Sequence, residues 1–146
     1  MSLRHAMSAE SNPPGRDDDG RPSLLIADDD AVVRSALGAQ LDLGFHVIAV
    51  AEDATQAIEL AEEHRPDIAL IDVEMPGGGA REAVPQIARR SPDTCMVILS
   101  GDEADQVVLE LLSAGAITYI RKGVTGDEIS KALSDALRVK TDHPQA

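Results

Sequence analysis

From Ser23 onward, short unbroken apolar runs alternate with longer stretches whose apolar residues recur every three or four positions. The runs occupy residues 23–27, 46–50, 67–71, 95–99 and 117–120. Runs of this length, bounded by polar residues, predict strands buried on both faces. Helical spacing follows the first run at Val32, Val33, Ala36, Leu37 and Leu41, and the second at Ala54, Ala57, Ile58 and Ala61, ending before Pro66. After the fourth run it is carried by Val107, Val108, Leu111 and Leu112, and stops at Gly115. After the fifth it is carried by Ile129, Ala132, Leu133, Ala136 and Leu137. Thr125 and Glu128 stand at capping-box spacing at the start of that last helix. The third helical stretch is irregular. Gly77, Gly78 and Gly79 precede it and Pro85 lies inside it. Proline gives a helix no N–H and crowds the preceding turn, so a start near Val84, or a kink there, is expected.

Strands alternating with helices predict an α/β fold, a doubly wound five-stranded parallel sheet with right-handed crossovers. In such sheets ligands bind beyond the carboxyl ends of the strands, where the strand order reverses. If the order is 2-1-3-4-5, that point lies between the first and third strands. The first strand runs into Asp28, Asp29 and Asp30, and the third into Asp72. Two like charges about 4 Å apart repel by roughly 1 kcal/mol in water and about 4 kcal/mol near a protein surface. Carboxylates converging there call for a cation, and an all-oxygen set suits Mg²⁺.

The length of 146 residues suits one domain, and 43% apolar residues suffice for one core. Phe45 and Tyr119 are the only aromatic residues, so that core must be aliphatic. Residues 1–22 are rich in Ser, Pro, Gly, Asp and Arg and are expected to form a disordered tail, with Asp17, Asp18 and Asp19 as a solvated run. The globular domain is expected over residues 23–139. Residues 140–146 read as a second disordered tail, too short for an output domain. A formal charge of −13 argues against nucleic acid or an anionic membrane as a direct partner. Cys95 is alone, which rules out a disulfide within the chain and suggests a small buried residue. No stretch reaches the length of a membrane span, and the N-terminus lacks the apolar segment of a secretory signal. The expected location is the cytoplasm.

Other strand ends also carry chemistry. The fourth run leads into Ser100 and the fifth into Lys122. Carboxylates, a hydroxyl and an ammonium together make a phosphoryl-transfer set: metal ligands, a nucleophile, and donors for phosphoryl oxygens. The segments LLIADDDAVVR, PDIALIDVEMP, VILSGDEA and AGAITYIRKG resemble, in order, the motifs of the response-regulator receiver domains of two-component signalling, the CheY-like family. The resemblance covers residues 23–138. It implies a flavodoxin-like (βα)5 fold with strand order 2-1-3-4-5. It also implies that Asp72 takes a phosphoryl group from a sensor histidine kinase or a histidine phosphotransfer protein. Asp29 would be a direct Mg²⁺ ligand, Asp28 its partner holding metal-bound water, and Glu74 the donor of a backbone carbonyl to the metal. Ser100 and Lys122 would meet the phosphoryl oxygens. Tyr119 would be the aromatic switch that turns inward on activation. The face made by the fourth helix, fifth strand and fifth helix would then change partners, an unidentified downstream protein or a second copy of the chain. No catalysis beyond its own phosphorylation and dephosphorylation is implied. Two departures stand out. Lys122-Gly123 replaces the family's frequent Lys-Pro, and Gly77-Gly78-Gly79 replaces the more usual loop after Met75-Pro76.

Each residue also has a plainer reading. Asp30 suits the N-cap of the first helix, and Asp28 could be a cap too. Asp72 could be a turn residue, Ser100 a helix start, Lys122 a solvated lysine and Tyr119 part of the core. Glu74 and Asp102 read as surface charges. His5, His46, His64 and His143 lack ligand spacing. A competing enzyme reading is a phosphatase resembling the haloacid dehalogenase superfamily, with Asp28 as nucleophile and Asp30 as general acid. It leaves Asp72 idle and needs a cap domain. A receiver that binds partners without phosphorylation is a third reading. A flavodoxin-like cofactor site is disfavoured by three carboxylates where a phosphate-binding loop is needed.

Overall fold

The computed structural model describes residues 20–101 and 105–142. Among these, strands and helices alternate as β1 (Ser23–Ala27), α1 (Ala31–Leu41), β2 (His46–Ala51), α2 (Ala54–His64), β3 (Ile68–Asp72), α3 (Gly79–Arg90), β4 (Cys95–Ser100), α4 (Asp105–Ala114), β5 (Thr118–Arg121) and α5 (Gly126–Asp142). All pairings are parallel, and the order is β2-β1-β3-β4-β5. The strand order thus reverses between β1 and β3, the place where this class of sheet opens a crevice.

Successive side chains of a strand point to opposite faces, and two cores result. Leu25, Ala27, Ala69, Ile71 and Ile98 face a layer containing Ala54, Ala57, Ala61, Ala80, Ala83, Val84, Ile87 and Leu111, from α2, α3 and α4. Leu24, Ile26, Leu70, Val97 and Leu99 face Leu37, Leu41, Ile129, Leu133 and Ala136, from α1 and α5, with Phe45 beside them. Every residue of β1, β3 and β4 is buried, which explains their unbroken apolar runs. β2 is an edge strand. Its register skips Ile48 between the pairs Leu24↔Val47 and Leu25↔Ala49, a bulge of the kind that blunts an exposed edge.

Helix ends follow local chemistry. The Asp30 carboxylate accepts from the Val32 and Val33 N–H groups at 2.9 and 3.3 Å, and Asp53 accepts from Gln56 N–H at 2.7 Å. The Thr125–Glu128 capping box forms in both directions, at 2.9 and 3.1 Å.

The structure corrects three expectations. α3 starts at Gly79, not near Val84, and runs through Pro85. Proline removes one helical hydrogen bond, but Ala80, Ala83, Val84 and Ile87 are each fully buried on one face, and that packing holds the helix. Its first turn is anchored by Ala80 N–H donating to Val73 O at 3.0 Å. Gly79 has φ +65°, and a Cβ there would lie 2.6 Å from Val73 O, so the turn requires glycine. Arg21 and Pro22, which fall within the expected N-terminal tail, are hydrogen-bonded to the domain: Arg21 Nη1 donates to Asp42 O at 2.6 Å, and Pro22 O accepts from His46 N–H at 2.9 Å. At the other end α5 continues to Asp142, past the expected boundary at 139. Asp17, Asp18, Asp19, Asp102, His5 and His143 lie outside the described residues. No helix among the described residues is long and apolar enough to cross a membrane.

Candidate functional site

The parallel ladder delivers Asp28 and Asp72 to the same end of the sheet. Asp28 N–H donates to Ala51 O at 3.0 Å, which continues the β1–β2 pairing one residue beyond β1. Asp28 is 2% exposed. Its Oδ1 accepts from Asp30 N–H at 3.0 Å, whereas its buried Oδ2 has no hydrogen-bond partner. An unpaired buried carboxylate oxygen carries a full desolvation cost, which a cation would offset. Asp29 is exposed. Asp72 closes β3 and is 3% exposed.

Asp28, Asp29 and Asp72 each place a carboxylate oxygen within 4.8 Å of the others. Lys122 Nζ lies 2.9 Å from Asp72 Oδ1. Three carboxylates and one nearby ammonium leave an excess of negative charge, and oxygen donors of this kind fit Mg²⁺. Burial pushes the Asp72 carboxyl above the usual aspartate range. The Lys122 hydrogen bond opposes that shift, the Asp28 charge adds to it, and the Glu74 N–H, which also donates to Asp72, opposes it again.

Ser100 ends β4 and is buried; its carbonyl accepts from Lys122 N–H at 2.8 Å, which fixes the residue that faces Asp72. Gly123, immediately after Lys122, has φ +97°. Proline cannot adopt that angle, so the departure from Lys-Pro has a backbone consequence. Tyr119 on β5 is 45% exposed, an outward position rather than a core one. Glu74 has an exposed side chain, and its backbone N–H is what touches Asp72. Asp30 serves as the α1 cap, as its plainer reading held, and not as a member of the acidic cluster. Sequence reasoning missed Arg34. Its Nη1 donates to Asp28 O at 2.7 Å, a contact to backbone that no motif announces.

A parallel sheet of order 2-1-3-4-5, with an acidic cluster at its switch point and a lysine on the central carboxylate, defines a receiver-type signalling module. The chain belongs to the response regulator receiver domain family, whose pattern matches residues 24–134. It is 35% identical over 112 residues to the response regulator GacA of Pseudomonas aeruginosa, covering 75% of this chain and 52% of GacA. It is 34% identical over 122 residues to a cyclic di-GMP phosphodiesterase of Thermotoga maritima, covering 83% of this chain and 32% of that one. The chain thus spans about half the length of the first of these relatives and about a third of the second. Among solved structures, the signal receiver domain of the putative response regulator NarL from Mycobacterium tuberculosis superposes with a TM-score of 0.77 at 28% identity, covering 81% of this chain and 97% of that one. A CheY-like receiver domain protein from Methanospirillum hungatei, at 22% identity and a TM-score of 0.78, shares the fold. The family sets aside the phosphatase reading.

Proposed function

We propose that Asp72 is the phosphoacceptor of a two-component pathway. An Asp72 oxygen attacks the phosphorus of a phosphohistidine on a sensor histidine kinase or phosphotransfer protein. The new O–P bond forms as the P–N bond breaks, and the imidazole, protonated on its other ring nitrogen beforehand, leaves as the neutral base. Mg²⁺, held by Asp28, Asp29, Asp72 and the Glu74 carbonyl, would neutralise charge on the transferring group. Lys122, paired to Asp72 at 2.9 Å, supplies a fixed positive charge to the phosphoryl oxygens, and the Ser100 hydroxyl supplies a hydrogen bond.

The observation that carries this reading is the burial of Asp72 between Lys122 and two further carboxylates within 4.8 Å. A purely structural ion pair has no use for those extra carboxylates. Docking of the donor against α1 is supported by a cavity of about 280 Å³ between α1 and the segment joining β5 to α5, lined by Val32, Val33, Ala36, Gly123 and Lys122, with Val32 77% exposed.

Phosphorylation adds charge and acceptor oxygens, draws Ser100 and Lys122 inward, and turns Tyr119 from its outward position. Exposed Leu109, Tyr119 and Val139 lie on α4, β5 and α5, and that face then exchanges partners: a downstream protein or a second copy of the chain. The test is incubation with acetyl phosphate and Mg²⁺, read by intact mass. One phosphoryl group is gained by the native protein and none by Asp72→Asn or without Mg²⁺. Labelling of Asp72→Asn to the native extent sinks the assignment.

A further inference from the structure

We infer that Arg34 is a positioning residue for divalent-cation binding: it clamps the Asp28 backbone so that one carboxylate oxygen, Oδ2, is left facing the metal site. The inference rests on the acidic cluster holding Mg²⁺ as proposed above. Arg34 N–H donates to Asp30 O at 3.0 Å, which closes the first turn of α1. Helical side chains lean toward the N-terminus, and this one passes back over that turn to the Asp28 carbonyl at 2.7 Å.

Asp28 is then held at three points. Its N–H goes to Ala51 O at 3.0 Å, its carbonyl takes the guanidinium, and its Oδ1 takes Asp30 N–H at 3.0 Å. Only the buried Oδ2 has no hydrogen-bond partner. The choice of atom matters. A guanidinium on the carboxylate would compete with a cation for its oxygens. On the carbonyl it fixes the same residue and leaves both carboxylate oxygens their own tasks. Lys122 contrasts with it, because that ammonium sits on a carboxylate oxygen, Asp72 Oδ1.

The positioning role and the bare charge of Arg34 predict opposite signs. As a positive charge near a cation site, Arg34 should weaken Mg²⁺ binding, so its removal should tighten it. As a clamp, its removal should loosen Asp28 and weaken binding, on the order of 10-fold, the usual effect of losing a group that orients a metal ligand. The experiment is calorimetric titration of Mg²⁺ into the native protein, Arg34→Gln, Arg34→Lys and Asp28→Asn, with metal-free melting curves for each. Kd should rise about 10-fold in Arg34→Gln and return most of the way in Arg34→Lys, which can still donate to the carbonyl. Asp28→Asn should bind far more weakly than native. Unchanged or tighter binding by Arg34→Gln overturns the role of Arg34 while leaving the metal site standing. Absence of Mg²⁺ binding by the native protein overturns both. If Arg34→Gln does not fold, Arg34→Lys decides: it must bind within a few-fold of native.

Discussion

Asp72, the proposed phosphoacceptor, is buried, and its environment makes a pH-dependent prediction. Burial raises its folded-state pKa above the ordinary aspartate value. A carboxyl of that kind stabilises the fold below the unfolded pKa, and the contribution is lost as pH rises through the raised folded value. At neutral pH the ionised side chain therefore costs stability in the metal-free protein. Asp72→Asn should raise the melting temperature there, by about 2–4 °C for each kcal/mol recovered, and the gain should vanish in acid. Thermal melts at the two pH values check this; an equal gain at both would mean that charge is not the cause. Removing Lys122 acts the other way on function. Lys122→Ala should slow Mg²⁺-dependent labelling by about 100-fold, the order of loss for one oriented charge-stabilising donor, and the rate of mass gain measures it.

At the scale of elements, what the sequence revealed depended on whether the signal was local. β1, β3 and β4 were readable because burial on both faces writes itself as an unbroken apolar run. The α1 and α5 caps were readable because Asp30, Thr125 and Glu128 act within three residues of themselves. The start of α3 was not. The proline rule is local, whereas the contacts that override it, through Ala83 and Ile87, come from the rest of the fold. Val32 misled in the same way: it fits the helical apolar period, yet it is 77% exposed beside the α1–α5 cavity. The convergence of Asp28 and Asp72 followed from strand order, whereas the Arg34 contact ends on a carbonyl that every residue possesses. Two substitutions probe these elements. Asp30→Ala should cost about 1 kcal/mol by denaturant unfolding, because two α1 N–H groups lose their acceptor. Gly79→Ala should cost more than that, since it combines φ +65° with a 2.6 Å approach to Val73 O; a smaller loss than that of Asp30→Ala would show that the turn relaxes freely.

For the molecule as a whole, a formal charge of −13 repels other polyanions. The proposed Mg²⁺ site adds a response to cations beyond simple screening. Ten times its own Kd of Mg²⁺ should stabilise the folded state by about 1.4 kcal/mol, seen as a higher melting temperature that monovalent salt of equal ionic strength does not reproduce. Everything proposed for the face bearing Leu109, Tyr119 and Val139 depends on one covalent event at Asp72. The measurement that reaches it most directly is chemical localisation of the phosphoryl group. The protein is labelled with acetyl phosphate and Mg²⁺, the acyl phosphate is reduced with borohydride, and peptides are read by mass. A reduced residue is expected at position 72 and none at 28, 29 or 30. A modified residue at 28, 29 or 30, with Asp72 intact, would contradict it.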